Sequence, residues 1–158
     1  MSKINYVRVI LGGVIGGIVA GFLDWFLNGV LMAQPWIDAM KSLNRPTAFS
    51  GAFLFCLFLA FSVGGILIVW IYAAIRPRFG AGMRTALCAG LLAWAFAILL
   101  PNMMNAVTGL YSARLMLYAT GTGLLELVVG AMVGAALYKE AESTAAYPAP
   151  AEARQAAR

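Results

Sequence analysis

Four long apolar runs constrain this chain more than any other feature of its sequence. Each run is long enough to cross a bilayer, for which about 20 residues are needed. We therefore predict an all-α fold, an integral membrane bundle of four transmembrane helices formed by residues 1–138. The predicted spans cover roughly residues 7–31, 50–75, 84–107 and 112–138.

The composition agrees with a membrane protein whose partner is the lipid bilayer. The 158 residues are 63% hydrophobic and 11% charged, whereas about a quarter of the residues in a soluble domain are charged. The net charge of +5 does not predict a nucleic-acid partner, because the basic residues flank the apolar runs. Histidine is absent, and Cys56 and Cys88 lack the C-x-x-C spacing, so we expect no metal site and no cofactor.

The basic start "MSKINYVR" followed by an apolar run is also the pattern of a signal peptide. The run is too long for that class and no A-x-A site follows, so we expect an uncleaved first span. Asp24 lies inside this span, where a carboxylate costs about 3 kcal/mol and each Leu, Ile, Phe or Val returns roughly 0.3–0.6 kcal/mol. Thirteen such residues lie between Val7 and Val30, and they outweigh the aspartate.

The distribution of Lys and Arg predicts the orientation of the bundle. Cytoplasmic segments carry an excess of these residues. We therefore expect both termini on the cytoplasmic side of a bacterial inner membrane. The cytoplasmic set is Lys3, Arg8, Arg76, Arg78, Arg84, Lys139, Arg154 and Arg158, and the opposite set is Lys41, Arg45 and Arg114.

Two segments outside the spans have their own predictions. In residues 35–43, Trp36, Met40 and Leu43 fall on one helical face, which favours a short helix on the outer membrane surface. An ordinary loop with one anchoring tryptophan is the alternative. Residues 139–158 are rich in Ala, Glu and Pro, and we expect a disordered cytoplasmic tail.

Two stripes of small and polar residues indicate how the first and fourth spans pack. Residues four apart share a helix face, and small residues let helices approach closely in lipid. The spans are antiparallel in the predicted topology, so the stripes can face each other as a polar helix-packing interface. The expected pairs are Gly12–Gly134, Gly16–Gly130, Ala20–Glu126, Asp24–Thr122 and Asn28–Tyr118.

The same region is a candidate ion or proton site. Pro101 leaves the carbonyl of Ala97 without its helical donor, and two asparagines follow it. An oxygen-rich cluster without thiols suits a proton, Na⁺ or another hard cation. The residues expected to gather in the outer half of the bundle are Asp24, Asn28, Asn102, Asn105 and Glu126.

No motif in the sequence predicts an enzyme. A nucleophile–base pair, a phosphate loop and a zinc motif are missing, and "FLDWF" and "LLELV" lack the G-x-G-D signature of intramembrane aspartyl proteases. We expect a non-enzymatic accessory or assembly subunit, as a homo-oligomer or in a larger membrane complex. The alternative is a small oligomeric cation- or proton-coupled transporter or channel that uses Asp24 and Glu126, since ionisable residues within a membrane are candidate functional sites.

Three stretches of the sequence form a further pattern: "AGFLDWFLNGVLMAQPWIDAM", "VWIYAAIRPRFG" and "LYSARLMLYATGTGLLELVVGAMVGAALY". They resemble a group of small bacterial four-helix integral membrane proteins of the domain-of-unknown-function type. The resemblance covers about 130 residues up to Tyr138. It implies a four-span bundle in a bacterial cytoplasmic membrane, and it brings no activity and no site residues.

Overall fold

The computed structural model describes residues 4–48 and 50–139, and this part of the chain contains five helices and no strand. Four of the helices are long and apolar enough to cross a membrane. We label the helices α1 (Tyr6–Leu31), α2 (Ala33–Ser42), α3 (Gly51–Phe79), α4 (Met83–Val107) and α5 (Ala113–Leu137). The predicted tail lies outside the described residues, apart from Lys139.

The four long helices run antiparallel to their neighbours, which gives the bundle two distinct ends. The terminal end holds the start of α1, the end of α5 and the turn between α3 and α4. The α2 end holds the short helix α2 and the turn between α4 and α5. Polar caps fix three of the helix starts: the side chains of Asn5, Ser50 and Ser112 accept hydrogen bonds from backbone N–H groups in the first turns of α1, α3 and α5, where four N–H groups lack helical partners.

Helix α1 packs closely against two helices because its glycines form two adjacent stripes. Gly12 and Gly16 face α5, where a Cβ on Gly12 would lie 2.6 Å from the carbonyl oxygen of Gly134. Gly13 and Gly17 face α3, where a Cβ on Gly13 would lie 2.6 Å from the backbone nitrogen of Ile66. Only glycine allows backbones to approach this closely. The first stripe was predicted from the sequence, whereas the second is seen only in the structure.

Helix α4 packs against α5 and passes Pro101 without ending. The segment Ala95–Leu99 is a π-helix, in which the Leu100 N–H donates to the carbonyl of Ala95, five residues back. Pro101 has no N–H to donate to a carbonyl in the preceding turn. The π-helical turn Ala95–Leu99 lies in that preceding turn. The Trp94 indole N–H donates to the carbonyl of Thr120 at 2.9 Å and ties α4 to α5.

Aromatic rings close the terminal end. Tyr138 is 5% exposed, and its ring contacts the edge of Tyr72 with centroids 6.0 Å apart. The guanidinium carbon of Arg76 lies 5.6 Å from the centre of the Tyr138 ring. Helix α3 extends beyond the predicted end of its span near residue 75 and continues through Pro77 to Phe79. The arginine and the tyrosines hold this last turn against the bundle.

Candidate functional site

A polar cluster lies in the half of the bundle nearer the α2 end, between α1 and α5. Its centre is the side-chain amide of Asn28, whose nitrogen Nδ2 lies within hydrogen-bonding distance of three acceptors. These are Oδ1 of Asp24 at 3.0 Å, Oε1 of Glu126 at 3.1 Å and Oγ1 of Thr122 at 3.3 Å. Glu126 is 2% exposed. One amide thus joins the two acids that lie within the apolar spans.

The direction of helical side chains explains why these groups converge. Each Cα–Cβ bond tilts toward the N-terminus of its helix. Since α1 and α5 are antiparallel, Asn28 on α1 leans toward the terminal end and Glu126 on α5 leans toward the α2 end. The two side chains meet at a depth between their Cα atoms.

The same tilt corrects one predicted pair. Tyr118 does not receive the amide of Asn28, which instead reaches Thr122 and Glu126. The Tyr118 side chain leans away from the cluster, and its hydroxyl accepts from Nε and Nη2 of Arg114, both at 3.4 Å. Pairing residues by their Cα positions therefore predicts the glycine contacts correctly, because glycine has no side chain. The partners of Asn28, Thr122 and Glu126, lie one and two helical turns away from the predicted partner Tyr118.

Backbone geometry and a tryptophan fix the orientation of the amide. Asn28 lies in the π-helical segment Trp25–Leu31, a distortion often found at functional sites. The Trp36 indole N–H donates to Oδ1 of Asn28 at 3.2 Å, so the nitrogen end of the amide faces the acids. The Trp36 ring meets Tyr111 edge-on at 5.7 Å. The segment around Trp36 is helical and forms α2. Trp36 itself faces the bundle and contacts Asn28 and Tyr111, whereas the sequence predicted only that it lies at the membrane surface.

The cluster contains more acceptors than donors. An Asn amide carries two N–H hydrogens, and three acceptors surround it. The single Thr122 hydroxyl hydrogen can be donated either to the carbonyl of Ala119 at 3.2 Å or to the Glu126 carboxylate, so at most three hydrogens face the four carboxylate oxygens. Both acid oxygens lie about 3 Å from one nitrogen, so they are within about 6 Å of each other, where two negative charges disfavour each other. In residues 4–48 and 50–139, neither acid forms an ion pair.

The structure does not bring Asn102 and Asn105 into this cluster. The Asn102 amide donates to Oγ1 of Thr120 at 3.1 Å, on the face of α5 that packs against α4. Thr120 and Thr122 are two residues apart and so lie on different faces of the helix. The backbone carbonyl of Asn105 accepts from the N–H of Leu110 at 3.1 Å and closes the end of α4. The five-residue cation cluster predicted from the sequence is therefore reduced to Asp24, Asn28 and Glu126, joined by Thr122.

An apolar crevice runs beside the cluster toward the middle of the bundle. It is an open crevice of about 250 Å³ between α1, α3, α4 and α5. Its wall includes Ala20 and Gly130, which lie one helical turn from Asp24 and Glu126 respectively. Helices α3 and α4 contribute both small and large apolar residues to the wall, namely Ala60, Phe61, Gly64, Gly65, Ile68, Ala97 and Ile98.

The remaining chemistry-bearing residues lie apart. Cys56 is near the start of α3 at the α2 end, Cys88 is near the start of α4 at the terminal end, and both are exposed free thiols. Within the described ranges no group of three or more His, Cys, Asp or Glu residues could hold a metal ion. Comparison of the chain with protein-family models, with curated proteins and with solved structures found no match.

Proposed function

We propose that this chain is a non-enzymatic accessory or assembly subunit of a bacterial cytoplasmic membrane, akin to the small four-helix membrane proteins that its sequence resembles. The observation that carries the proposal is the Asn28 amide, which engages both Asp24 and Glu126 within one chain. Both ends of that amide are occupied, since Trp36 donates to its oxygen. The acids then act as polar contacts between the first and last spans, a common use of polar groups between membrane helices.

The positions of the charges support an orientation with both termini in the cytoplasm. Eight Lys and Arg residues lie near the termini or flank the turn between α3 and α4, against three near the α2 end. This asymmetry is the one that sets the topology of multi-pass proteins. The α2 end then faces the opposite side of the membrane.

The unequal burial of the helices supports an assembly role. In the most apolar 18-residue window of α3 and of α4, 17% and 11% of the residues are buried within the chain, against 39% in α1 and in α5. Helices α3 and α4 therefore bury fewer of their residues within this chain than α1 and α5 do, and more of their side chains can contact lipid or a neighbouring subunit. A homo-oligomer or a larger membrane complex would cover some of these side chains.

Extraction in a mild detergent tests this function. The tagged full chain is purified from native membranes, and the mass and composition of the particle are measured. We expect a homo-oligomer or a partner in fixed stoichiometry, and a monomer without one contradicts the assembly role. Asp24→Asn and Glu126→Gln variants that assemble like the wild type would show that ionised acids are not required.

The count of donors and acceptors favours a second candidate, a small oligomeric proton- or cation-coupled transporter or channel. Two carboxylates facing one amide leave acceptor oxygens free, and a proton or a hard cation such as Na⁺ would satisfy them. The apolar crevice reaches within one helical turn of both acids. This arrangement would let a lipid-soluble reagent approach them from the side.

Carbodiimide labelling in native membranes separates the two candidates. The reagent modifies protonated carboxyls that it can reach from the membrane, and mass spectrometry locates the label. Labelling of Glu126 that Na⁺ or high pH suppresses would support transport, and proton or cation flux in liposomes should then be lost in the Asp24→Asn, Glu126→Gln double variant. Absence of labelling under every condition would favour the structural role.

A further inference from the structure

A large cleft opens at the α2 end, apart from the polar cluster. It measures about 870 Å³ and lies between α2, the turn that follows α4, and the first turns of α5. Its polar lining comes from both walls. The residues that supply this lining are Asp38, Ser42, Tyr111, Ser112, Arg114 and Tyr118.

The two walls carry opposite charges that do not neutralise each other. Asp38 on α2 accepts a hydrogen bond at its Oδ1 from the Gln34 amide at 2.8 Å. Arg114 on α5 lies over the ring of Tyr118, with its guanidinium carbon 5.6 Å from the ring centre. Among the described residues neither charge takes part in an ion pair. Each is oriented by an uncharged neighbour and remains available to a ligand in the cleft.

The start of α5 reinforces the positive wall. Ser112 caps this 25-residue helix by accepting from the N–H of Leu115 at 3.2 Å. The N–H groups of Ala113 and Arg114, which come before it, have no acceptor within the helix. Partial positive charge at a helix start favours an anion. The α5 wall therefore suits a negative group, and the α2 wall suits a positive one.

We propose that this cleft binds the headgroup of a zwitterionic aminophospholipid, such as phosphatidylethanolamine. The phosphate contacts Arg114 and the start of α5, and the ammonium group contacts Asp38. This assignment rests on the proposed insertion in a membrane, in which the α2 end lies at the level of the headgroups. A primary ammonium can donate hydrogen bonds to a carboxylate, whereas the quaternary ammonium of phosphatidylcholine cannot.

Native mass spectrometry of the purified full chain tests the proposal. Phosphatidylethanolamine, phosphatidylcholine and phosphatidylglycerol with identical acyl chains are added in turn, and the bound fraction is measured. We expect phosphatidylethanolamine to be retained about tenfold more than the other two, because each of them lacks one of the paired contacts. Equal retention of the three lipids overturns the proposal.

Charge variants assign the two walls. Asp38→Asn should lower the binding of phosphatidylethanolamine but not that of phosphatidylglycerol, whose net negative charge the carboxylate repels, whereas Arg114→Gln should lower both. Lys41→Gln and Arg45→Gln remove a nearby positive charge outside the cleft lining, and both should bind as the wild type does. Wild-type lipid selectivity in Asp38→Asn overturns the assignment, provided that its circular dichroism and elution volume match the wild type.

Two further experiments distinguish a lipid from a soluble ligand and test membrane insertion independently of lipid binding. Phosphoethanolamine, which has the headgroup without acyl chains, should not displace the lipid at equal concentration, and displacement contradicts a lipid ligand. Cysteine accessibility in native membranes reports insertion independently. Correct insertion with no headgroup preference refutes the cleft alone, whereas failed insertion refutes the proposed function.

Discussion

Replacing Gly13 by alanine should weaken the contact between α1 and α3. The added Cβ would lie 2.6 Å from the backbone nitrogen of Ile66 and 2.9 Å from the carbonyl carbon of Gly65. Ordinary van der Waals contacts begin at 3.4 Å, so the two helices must move apart by about 1 Å. A gap of that size removes about a quarter to a half of the van der Waals attraction between each pair of contacting atoms. Both neighbours are backbone atoms, which cannot rotate away.

The expected loss follows from a comparison with a matched control. Gly121 lies within α5, and nothing is within 4 Å of the Cβ that an alanine would add there. Both Gly→Ala substitutions gain about 0.5–1 kcal/mol of helical preference. The difference in unfolding free energy between the two variants therefore isolates the overpacking, which typically costs about 1–3 kcal/mol.

Unfolding in mixed detergent micelles measures this difference. Tryptophan fluorescence is followed as the fraction of denaturing detergent rises, for the wild type, Gly13→Ala and Gly121→Ala. We expect the unfolding equilibrium constant of Gly13→Ala to exceed that of the control by about fivefold to a hundredfold, since the expected cost is about 1–3 kcal/mol and about 1.4 kcal/mol corresponds to a factor of ten. Equal stability of the two variants would refute the close backbone contact between α1 and α3.

Three further predictions concern the polar cluster and the orientation of the chain. Asn28→Leu should lower the unfolding free energy by about 1–3 kcal/mol, because it leaves buried acceptors without a donor, and Asn105→Leu, outside the cluster, should cost less in the same titration. Trp36→Phe keeps a ring and removes one hydrogen bond, so we expect a loss of about 0.5–1.5 kcal/mol, and a larger loss would indicate that the indole contributes mainly by packing. In a chain whose own cysteines are replaced by serine, Ala48→Cys should react with a membrane-impermeant maleimide in intact cells, whereas Ala81→Cys should react only after permeabilisation; the reverse pattern contradicts the proposed orientation.

The sequence was sufficient for the helices and for one interface. The lengths of the apolar runs predicted four spans, and the structure has four helices long and apolar enough to cross a membrane. The spacing of Gly12 and Gly16 pointed to the surface that meets α5. Glycines can be matched by register alone because they have no side chain whose direction matters.

The candidate site was less accessible to such reasoning. The sequence placed Asn28 on the correct face of α1. Its partners, however, depend on the tilt of its side chain and on a π-helical turn, and no residue pattern predicts that turn. Trp36 comes eight residues later, on a separate helix, so its hydrogen bond depends on how the chain folds back after α1. Asn102 was misassigned because the rotation of α4 about its axis decides which face of α5 it meets.

The bonds of Asn28 also set an order of events during synthesis. The asparagine emerges with the first span, whereas its acceptors Thr122 and Glu126 emerge with the last, 94 and 98 residues later. Until α5 has been made, the Asn28 amide has Asp24 as its acceptor and Trp36 as its donor, but neither of its acceptors on α5. The polar side chains of Asp24 and Asn28 therefore lack their partners on α5 during most of translation. The last helix completes the bundle and covers these side chains.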